Sequence, residues 1–91
     1  MLWDLQNRQA RLAAFLPHLR AIAEDHRHMA QGRLGPRELM AAAIDAFELA
    51  LDRFDPKRDY DLHAYVDIVV RGALHQRVLN SHRRRARFQA A

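Results

Sequence analysis

Histidine and carboxylate side chains come close together at one point of the chain, where Asp25, His26 and His28 lie within four residues. Both residue types are common zinc ligands, so this group is the first candidate for a metal site. Side chains two positions apart on a helix point to nearly opposite sides, so His26 and His28 do not readily share one ion. The chain has no cysteine, which excludes a thiolate site and favours a reducing, cytoplasmic setting. We therefore expect no metal and no other cofactor.

Two further histidines, His75 and His82, are spaced two helical turns apart, with Arg71 and Arg85 near them. On one helix face these side chains would donate hydrogen bonds to a phosphate or to a protein partner. The alternative is that they are ordinary solvated polar residues. No group of residues forms a convincing catalytic set, so we do not expect an enzyme.

Charge is distributed unevenly along the chain. All 11 Asp and Glu residues lie at or before Asp67, whereas six of the 15 Lys and Arg residues follow it. An arginine-rich end neutralises phosphates or faces an acidic protein surface. The alternative is a solvated helix end, where cations complement the helix dipole. The first interpretation predicts weak DNA binding without sequence preference, through Arg71, Arg77, Arg83, Arg84, Arg85 and Arg87.

The elements that would position these residues are helices. The 3 glycines and 3 prolines are few, and no stretch alternates β-branched with polar residues over the length of a strand. We expect a break near Pro17 between a first and a second helix, a connector at Gly32 to Pro36, and a third helix that ends near Phe54 because Asp55 precedes a proline. A fourth helix should run from about Leu62 to about Arg83, antiparallel to the third and capped by Asp61.

Length and hydropathy set the limits of the domain. Residues 1–88 predict one helical domain, and residues 89–91 a flexible C-terminal end. The N-terminal residues carry charges and contain no apolar run of signal-peptide length. No segment approaches the roughly 18 apolar residues of a membrane span. We therefore expect a cytoplasmic protein without membrane contact.

Short motifs follow one another in unbroken order from about His18 to Phe88. They are Leu19-Arg20, Glu38-Leu39-Met40, Ala50 with Asp52 to Asp55, Lys57-Arg58 with Tyr60, Tyr65, and Arg71 with Ala73. In this order and spacing the chain resembles region 2 of the bacterial sigma-70 family. The resemblance implies a compact all-α domain of four helices, a domain that in the family docks on RNA polymerase and opens the promoter −10 element.

The positions that serve polymerase docking in the family are altered here. After the motif that contains Glu38, the family carries a polar and acidic "Q-E-G", and this chain has Ala41, Ala42 and Ala43. Alanine offers neither a carboxylate nor an amide, and the loss of such contacts from a buried interface typically costs about 2–5 kcal/mol. We therefore interpret Glu38, Ala41 and Ala42 as a degenerate docking site.

The positions that serve promoter melting are altered as well. The two tryptophans of the family correspond to Ile68 and Val69, and Tyr65 alone keeps an aromatic ring. Stacking on an aromatic side chain contributes roughly 1–3 kcal/mol per base, and an aliphatic side chain has no π-face. The base-reading glutamine falls on Gly72 and its neighbour on His75. Compact sigma factors also lack the tryptophans and read flipped bases with a loop, whose counterpart here is DPKRDYD.

Three interpretations remain open. The first is a sigma-like regulatory protein that contacts a sigma antagonist or the RNA polymerase core. The second is a divergent working sigma subunit that binds core polymerase and promoter DNA, with a second chain supplying a −35-binding domain. The third is a helical interaction module unrelated to transcription. A second copy of this chain, which would form a homo-oligomer, is a further candidate partner.

The first interpretation predicts a protein interface on the last helix. A helix does not bury three consecutive side chains on one narrow stripe, so Ile68 or Val69 should be exposed, and exposed apolar patches are often interaction surfaces. The alternative is that Trp3 and Phe15 of the first helix cover them. The predicted interface has Tyr65, Ile68 and Val69 as apolar anchors, with Arg71 and His75 at its rim.

Overall fold

The computed structural model describes residues 2–58 and 61–90, with side chains for residues 7–58, 61–84 and 86. These residues form three α-helices and no strand: α1 spans Leu2–Ala30, α2 spans Pro36–Arg53 and α3 spans Leu62–Ala90. The all-α prediction is confirmed. The predicted count of four helices is wrong, because the first two predicted helices are one.

Pro17 lies inside α1 and does not break it. Proline has no N–H to donate to the carbonyl of Ala13 and costs about 3 kcal/mol in a helix interior. Ala13 and Pro17 are both exposed, so water can reach the freed carbonyl. Phe15 and Leu19, on either side of the proline, pack against the same core. This shared packing offsets the lost hydrogen bond and keeps the two halves in line.

The predicted connector between α1 and α2 is confirmed. Helix α1 ends at Ala30, and Gln31 and Gly32 then have φ values of 52° and 80°, in the left-handed region. This conformation turns the chain sharply, as is common after a helix end. Pro36 opens α2 in its first turn, where its missing N–H is no loss.

Helix α3 begins where the sequence predicts and continues further. The Asp61 carboxylate accepts hydrogen bonds from the backbone N–H groups of His63 (2.9 Å) and Ala64 (3.3 Å), so Asp61 is the N-cap as expected. The predicted end near Arg83 is too early, because α3 runs to Ala90. No glycine or proline follows Gly72, and arginine and alanine have high helix propensity. The flexibility of residues 89–91 stays a prediction.

Contacts between the helices define an up-down-up bundle. The end of α2 meets the start of α3, where the rings of Phe54 and Tyr65 are 5.7 Å apart. The start of α2 meets the later part of α3, since Glu38 lines the same groove as Asn80. Helices α2 and α3 are therefore antiparallel, as predicted. Helices α1 and α3 are instead parallel, because His82 in the later part of α3 donates a hydrogen bond to the carbonyl of Met29 at the end of α1.

The core runs between the three helices. Phe47 of α2 is fully buried at its centre, and its ring lies 5.1 Å from that of Phe15 in α1. Helix α3 contributes Val66, Val70 and Leu74, all fully buried. The other buried apolar residues are Leu19, Ile22, Ala23, Ala30, Leu34, Leu39, Ala42, Ala43, Ala46, Ala50 and Val78.

Candidate functional site

One apolar patch lies on the outer side of α2 and α3. Ile68 is 71% exposed, the largest exposure among the large apolar side chains that the structure describes. Tyr65, three residues earlier, is half-buried with its ring against Phe54, and Val69 is half-buried against the core. The sequence left open whether Ile68 and Val69 are exposed or covered by the first helix. Ile68 is exposed.

Phe15 of α1 does not cover Ile68. The Phe15 ring packs on Phe47 and, at 5.4 Å, on the ring of His63. His63 and Ile68 are five residues apart on α3 and so lie on different faces of that helix. The side chain of Trp3 lies outside the described residues. Phe15 thus packs on a different face of α3 from Ile68.

Leu49 extends the patch onto α2, and the sequence analysis did not identify it. The antiparallel register set by Phe54 with Tyr65, and by Glu38 with Asn80, brings Leu49 level with Val69, the residue after Ile68. Leu49 also lies on the α3 side of α2, because the eleven residues from Glu38 complete about three helical turns. It is 43% exposed. We call Leu49, Tyr65, Ile68 and Val69 the apolar patch.

Helix α3 continues the face of the patch with small and polar residues. His75 is exposed two helical turns after Ile68, so both lie on one face of the helix. Gly72 lies between them, and a Cβ atom built there would meet nothing within 4 Å. The surface beside Ile68 is therefore open, with His75 at the edge where the sequence analysis expected a rim residue.

Arg71 is directed towards α1 and not into the open surface. Its Nε donates to both carboxylate oxygens of Asp67 at 3.0 and 3.1 Å, and its Nη1 donates to Asp25 of α1 at 3.1 Å. The Nε2 of His18 donates to Asp67 at 2.8 Å. We call His18, Asp25, Asp67 and Arg71 the polar cluster. It ties α1 to α3, so the guanidinium of Arg71 is already engaged within the protein.

Two members of the polar cluster, Asp67 and Arg71, have shifted pKa values. Partial burial works against the charged form of Asp67, but hydrogen bonding and attraction by Arg71, and then by His18, outweigh it. The pKa of Asp67 is therefore lowered. Hydrogen bonds to Asp25 and then to Asp67 raise the pKa of Arg71. Each shift favours a salt-bridged state near neutral pH.

The basic part of α3 contains a second candidate site. Arg77 and Arg84 are exposed and line a groove with Arg33 from the α1–α2 connector. Arg83 is exposed as well, whereas the side chains of Arg85 and Arg87 lie outside the described residues. Three of the six arginines predicted to contact DNA are thus exposed, and Arg71 is held against α1.

Arg33 is held in place by His82, a contact across 49 residues of sequence. The Nη1 of Arg33 donates to the Nδ1 of His82 at 2.7 Å, and the Nε2 of His82 donates to the carbonyl of Met29 at 3.0 Å. An arginine donates only, so this geometry fixes the tautomer of His82 with its proton on Nε2. The contact fastens the connector to α3, and no local pattern in the sequence indicates it.

The altered docking positions differ in exposure. Glu38 and Ala41 are exposed, whereas Ala42 and Ala43 are buried. Ala42 shares its face of α2 with Leu39 and Ala46, three and four residues away, and that face packs in the core. Glu38 and Ala41 are therefore the members of the degenerate docking site that a partner can reach.

The candidate metal ligands are separated as the helix geometry predicts. His26 is buried, and its Nδ1 donates to the carbonyl of Ile22 at 2.8 Å, whereas His28 is exposed. Within the described part of the chain, no three histidine or carboxylate side chains are grouped so that they could hold a metal ion. His26 thus has a structural hydrogen bond.

Comparisons with protein-family models, curated proteins and solved structures gave no match for this chain. None of the helices, over the residues described, combines the length and hydrophobicity that crossing a bilayer requires.

Proposed function

We propose that this protein is a sigma-like regulatory protein that acts on transcription through protein–protein contacts. The apolar patch is the contact surface, and the partner is a sigma antagonist or the core RNA polymerase. The observation that carries the proposal is the exposure of Ile68, at a position where the sigma resemblance places a base-stacking tryptophan.

The energetics of the patch favour a protein partner over a flipped base. Burying an isoleucine side chain against apolar atoms contributes about 1.5–3 kcal/mol. The same side chain offers a base no π-face on which to stack. Leu49 and Val69 add apolar area beside Ile68, and the nearest arginine, Arg71, is engaged by Asp25 and Asp67. The patch thus suits an apolar protein surface better than a phosphate backbone.

The test compares Ile68→Asp with the parent chain. The immobilised protein is titrated with purified core RNA polymerase and, separately, with purified sigma antagonists from the host bacterium. A carboxylate in a buried apolar contact is unfavourable, so we expect at least about a tenfold loss of affinity for the partner that binds. Ala21→Asp is the matched control, because it adds the same charge at an exposed position on α1.

The outcome separates the first interpretation from the third. Unchanged affinity of Ile68→Asp for every partner contradicts the proposal. Binding of neither class, together with dissociation of a parent dimer by Ile68→Asp, supports the interaction module instead. Circular dichroism of the variant should show an unchanged fold, because surface substitutions usually change stability by less than about 0.5 kcal/mol. If the variant unfolds, Ile68 is a core residue and the patch is not an interface.

A second activity, weak DNA binding, has support from the exposed arginines Arg77, Arg83 and Arg84. Cations without stacking residues give affinity with little base discrimination. Titration with matched single-stranded oligonucleotides, with and without a −10-like sequence, should therefore show nearly equal affinities. A preference of tenfold or more, about 1.4 kcal/mol, favours the working sigma subunit.

A further inference from the structure

The groove where the α1–α2 connector meets α3 has the composition of an anion site. It has a volume of about 480 Å³ and is lined by three arginines and one carboxylate. A volume of this size lies in the range of roughly 300–1,000 Å³ that is typical of small-molecule sites. The lining residues are Arg33, Leu34, Glu38, Arg77, Asn80 and Ser81, with Arg84.

Two of the three arginines are available to a ligand. Arg77 and Arg84 make no hydrogen bond or ion pair with any residue that the structure describes, although Glu38 lines the same groove. They are seven residues apart on α3, about 10 Å along the helix axis. Asn80 lies between them, on the turn that separates the two. An anion between Arg77 and Arg84 would therefore meet a guanidinium from each side.

Arg33 is a preorganised third cation. His82, Gln31 and the carbonyl of Ala30 all accept hydrogen bonds from its Nη1. Its Nε is buried and has no partner among the described residues. A buried donor without an acceptor typically costs about 1–3 kcal/mol. Because the charge is delocalised over the whole guanidinium, an anion in the groove is attracted to Arg33 without touching Nε.

The first turn of α2 adds to the positive potential at the same place. Its N-cap is Gly35, and no side chain caps the first N–H groups by a hydrogen bond. The positive end of the helix dipole therefore remains near the groove, balanced in part by Glu38 in the first turn. With three guanidinium groups against one carboxylate, the lining has an excess of two positive charges.

We propose that this groove binds a small phosphate-bearing ligand, with Arg77 and Arg84 as direct phosphate contacts and Arg33 as a fixed cation. Guanidinium groups form two parallel hydrogen bonds to phosphate oxygens, and Arg77 and Arg84 line the groove with theirs unengaged. This site is separate from the apolar patch and does not rest on the protein contacts proposed there, but it shares Arg77 and Arg84 with the weak DNA binding proposed above.

Inorganic pyrophosphate is the probe, titrated into the full chain by calorimetry at low ionic strength, where screening is weakest. We expect saturable binding with one site per chain. The double variant Arg77→Gln/Arg84→Gln should bind about tenfold more weakly or worse. The control Arg11→Gln/Arg20→Gln removes the same charge from exposed positions of α1 and should stay within about twofold of the parent, near the usual error of such comparisons.

A parallel titration with a short single-stranded oligonucleotide separates a small ligand from a nucleic-acid backbone. Saturable pyrophosphate binding that depends on Arg77 and Arg84 supports the proposal, whether or not the oligonucleotide competes for the groove. Absence of saturable pyrophosphate binding overturns it, including when the oligonucleotide binds. Equal weakening in the two double variants also overturns it, because the effect is then net charge and not a site.

Discussion

Replacing Asp67 by asparagine tests whether the polar cluster holds α1 against α3. Asp67 accepts hydrogen bonds from Arg71 and from His18. An amide of the same shape keeps one acceptor oxygen and loses the charge. Arg71 keeps its contact with Asp25, so the substitution weakens the cluster without isolating the guanidinium.

The magnitude follows from the exposure of the two partners. The side chain of Asp67 is 32% exposed and that of Arg71 is 42% exposed. Fully exposed ion pairs contribute about 0–1 kcal/mol, whereas the loss of one partner from a buried pair costs about 3–5 kcal/mol. Discounting for solvent screening, we expect the free energy of unfolding to fall by about 1–2 kcal/mol. In a domain of this size, that corresponds to a drop in Tm of about 4–16 °C.

The effect should also depend on pH with a defined sign. The folded pKa of Asp67 is lowered, so its stabilising contribution is present above the unfolded value of about 3.9 and is lost as the pH falls through the folded value. The difference in stability between parent and Asp67→Asn should therefore be present at neutral pH and shrink below about 4. The pKa of Arg71 is raised, so its contribution to stability is lost only at strongly alkaline pH, outside the pH range of this comparison.

Urea unfolding followed by far-UV circular dichroism, at neutral and at acid pH, measures both quantities. Asp45→Asn is the matched control, because Asp45 is exposed on α2 and makes no side-chain hydrogen bond or ion pair with another described residue. If Asp67→Asn is as stable as Asp45→Asn at neutral pH, the polar cluster does not stabilise the bundle. If the stability difference between the parent chain and Asp67→Asn is the same at the lowest pH, the substitution acts through packing and not through the charge of Asp67.

Two further substitutions test the helix assignments. Pro17→Ala should raise the free energy of unfolding by about 1–3 kcal/mol, because it restores the N–H that the carbonyl of Ala13 lacks inside α1; a loss of stability in thermal unfolding would indicate that Pro17 ends a helix after all. Asp61→Ala should lower it by about 1 kcal/mol, because His63 and Ala64 lose their capping acceptor; an Asp61→Asn variant that loses as much as Asp61→Ala would argue against the cap.

Local signals in the sequence predicted most helix boundaries correctly. Asp55 before a proline, the cap at Asp61 and Pro36 in a first turn act through backbone sterics and hydrogen bonds within a few residues. The same local rule failed at Pro17. There the cost of a missing hydrogen bond competes with burial of Phe15 and Leu19, which depends on packing against α2 and α3.

The candidate sites were predictable in unequal degree. The exposure of Ile68 follows from helix periodicity, since Val66 and Val70 form the buried stripe of α3. The role of Leu49 depends on the register between two helices, which neither helix specifies alone. Arg71 was predicted at a rim, but its partner Asp25 is 46 residues away and visible only in the folded chain.

The sequence by itself determined the helical class, the connectors and the apolar stripes, because these follow from backbone chemistry and from the period of the α-helix. The tertiary structure alone decided which cations are free. It engages Arg71 with the carboxylates of Asp25 and Asp67 and leaves Arg77 and Arg84 facing the groove beside Arg33. Ion pairing depends on distances of a few ångströms between distant residues, and these distances exist only once the three helices have packed.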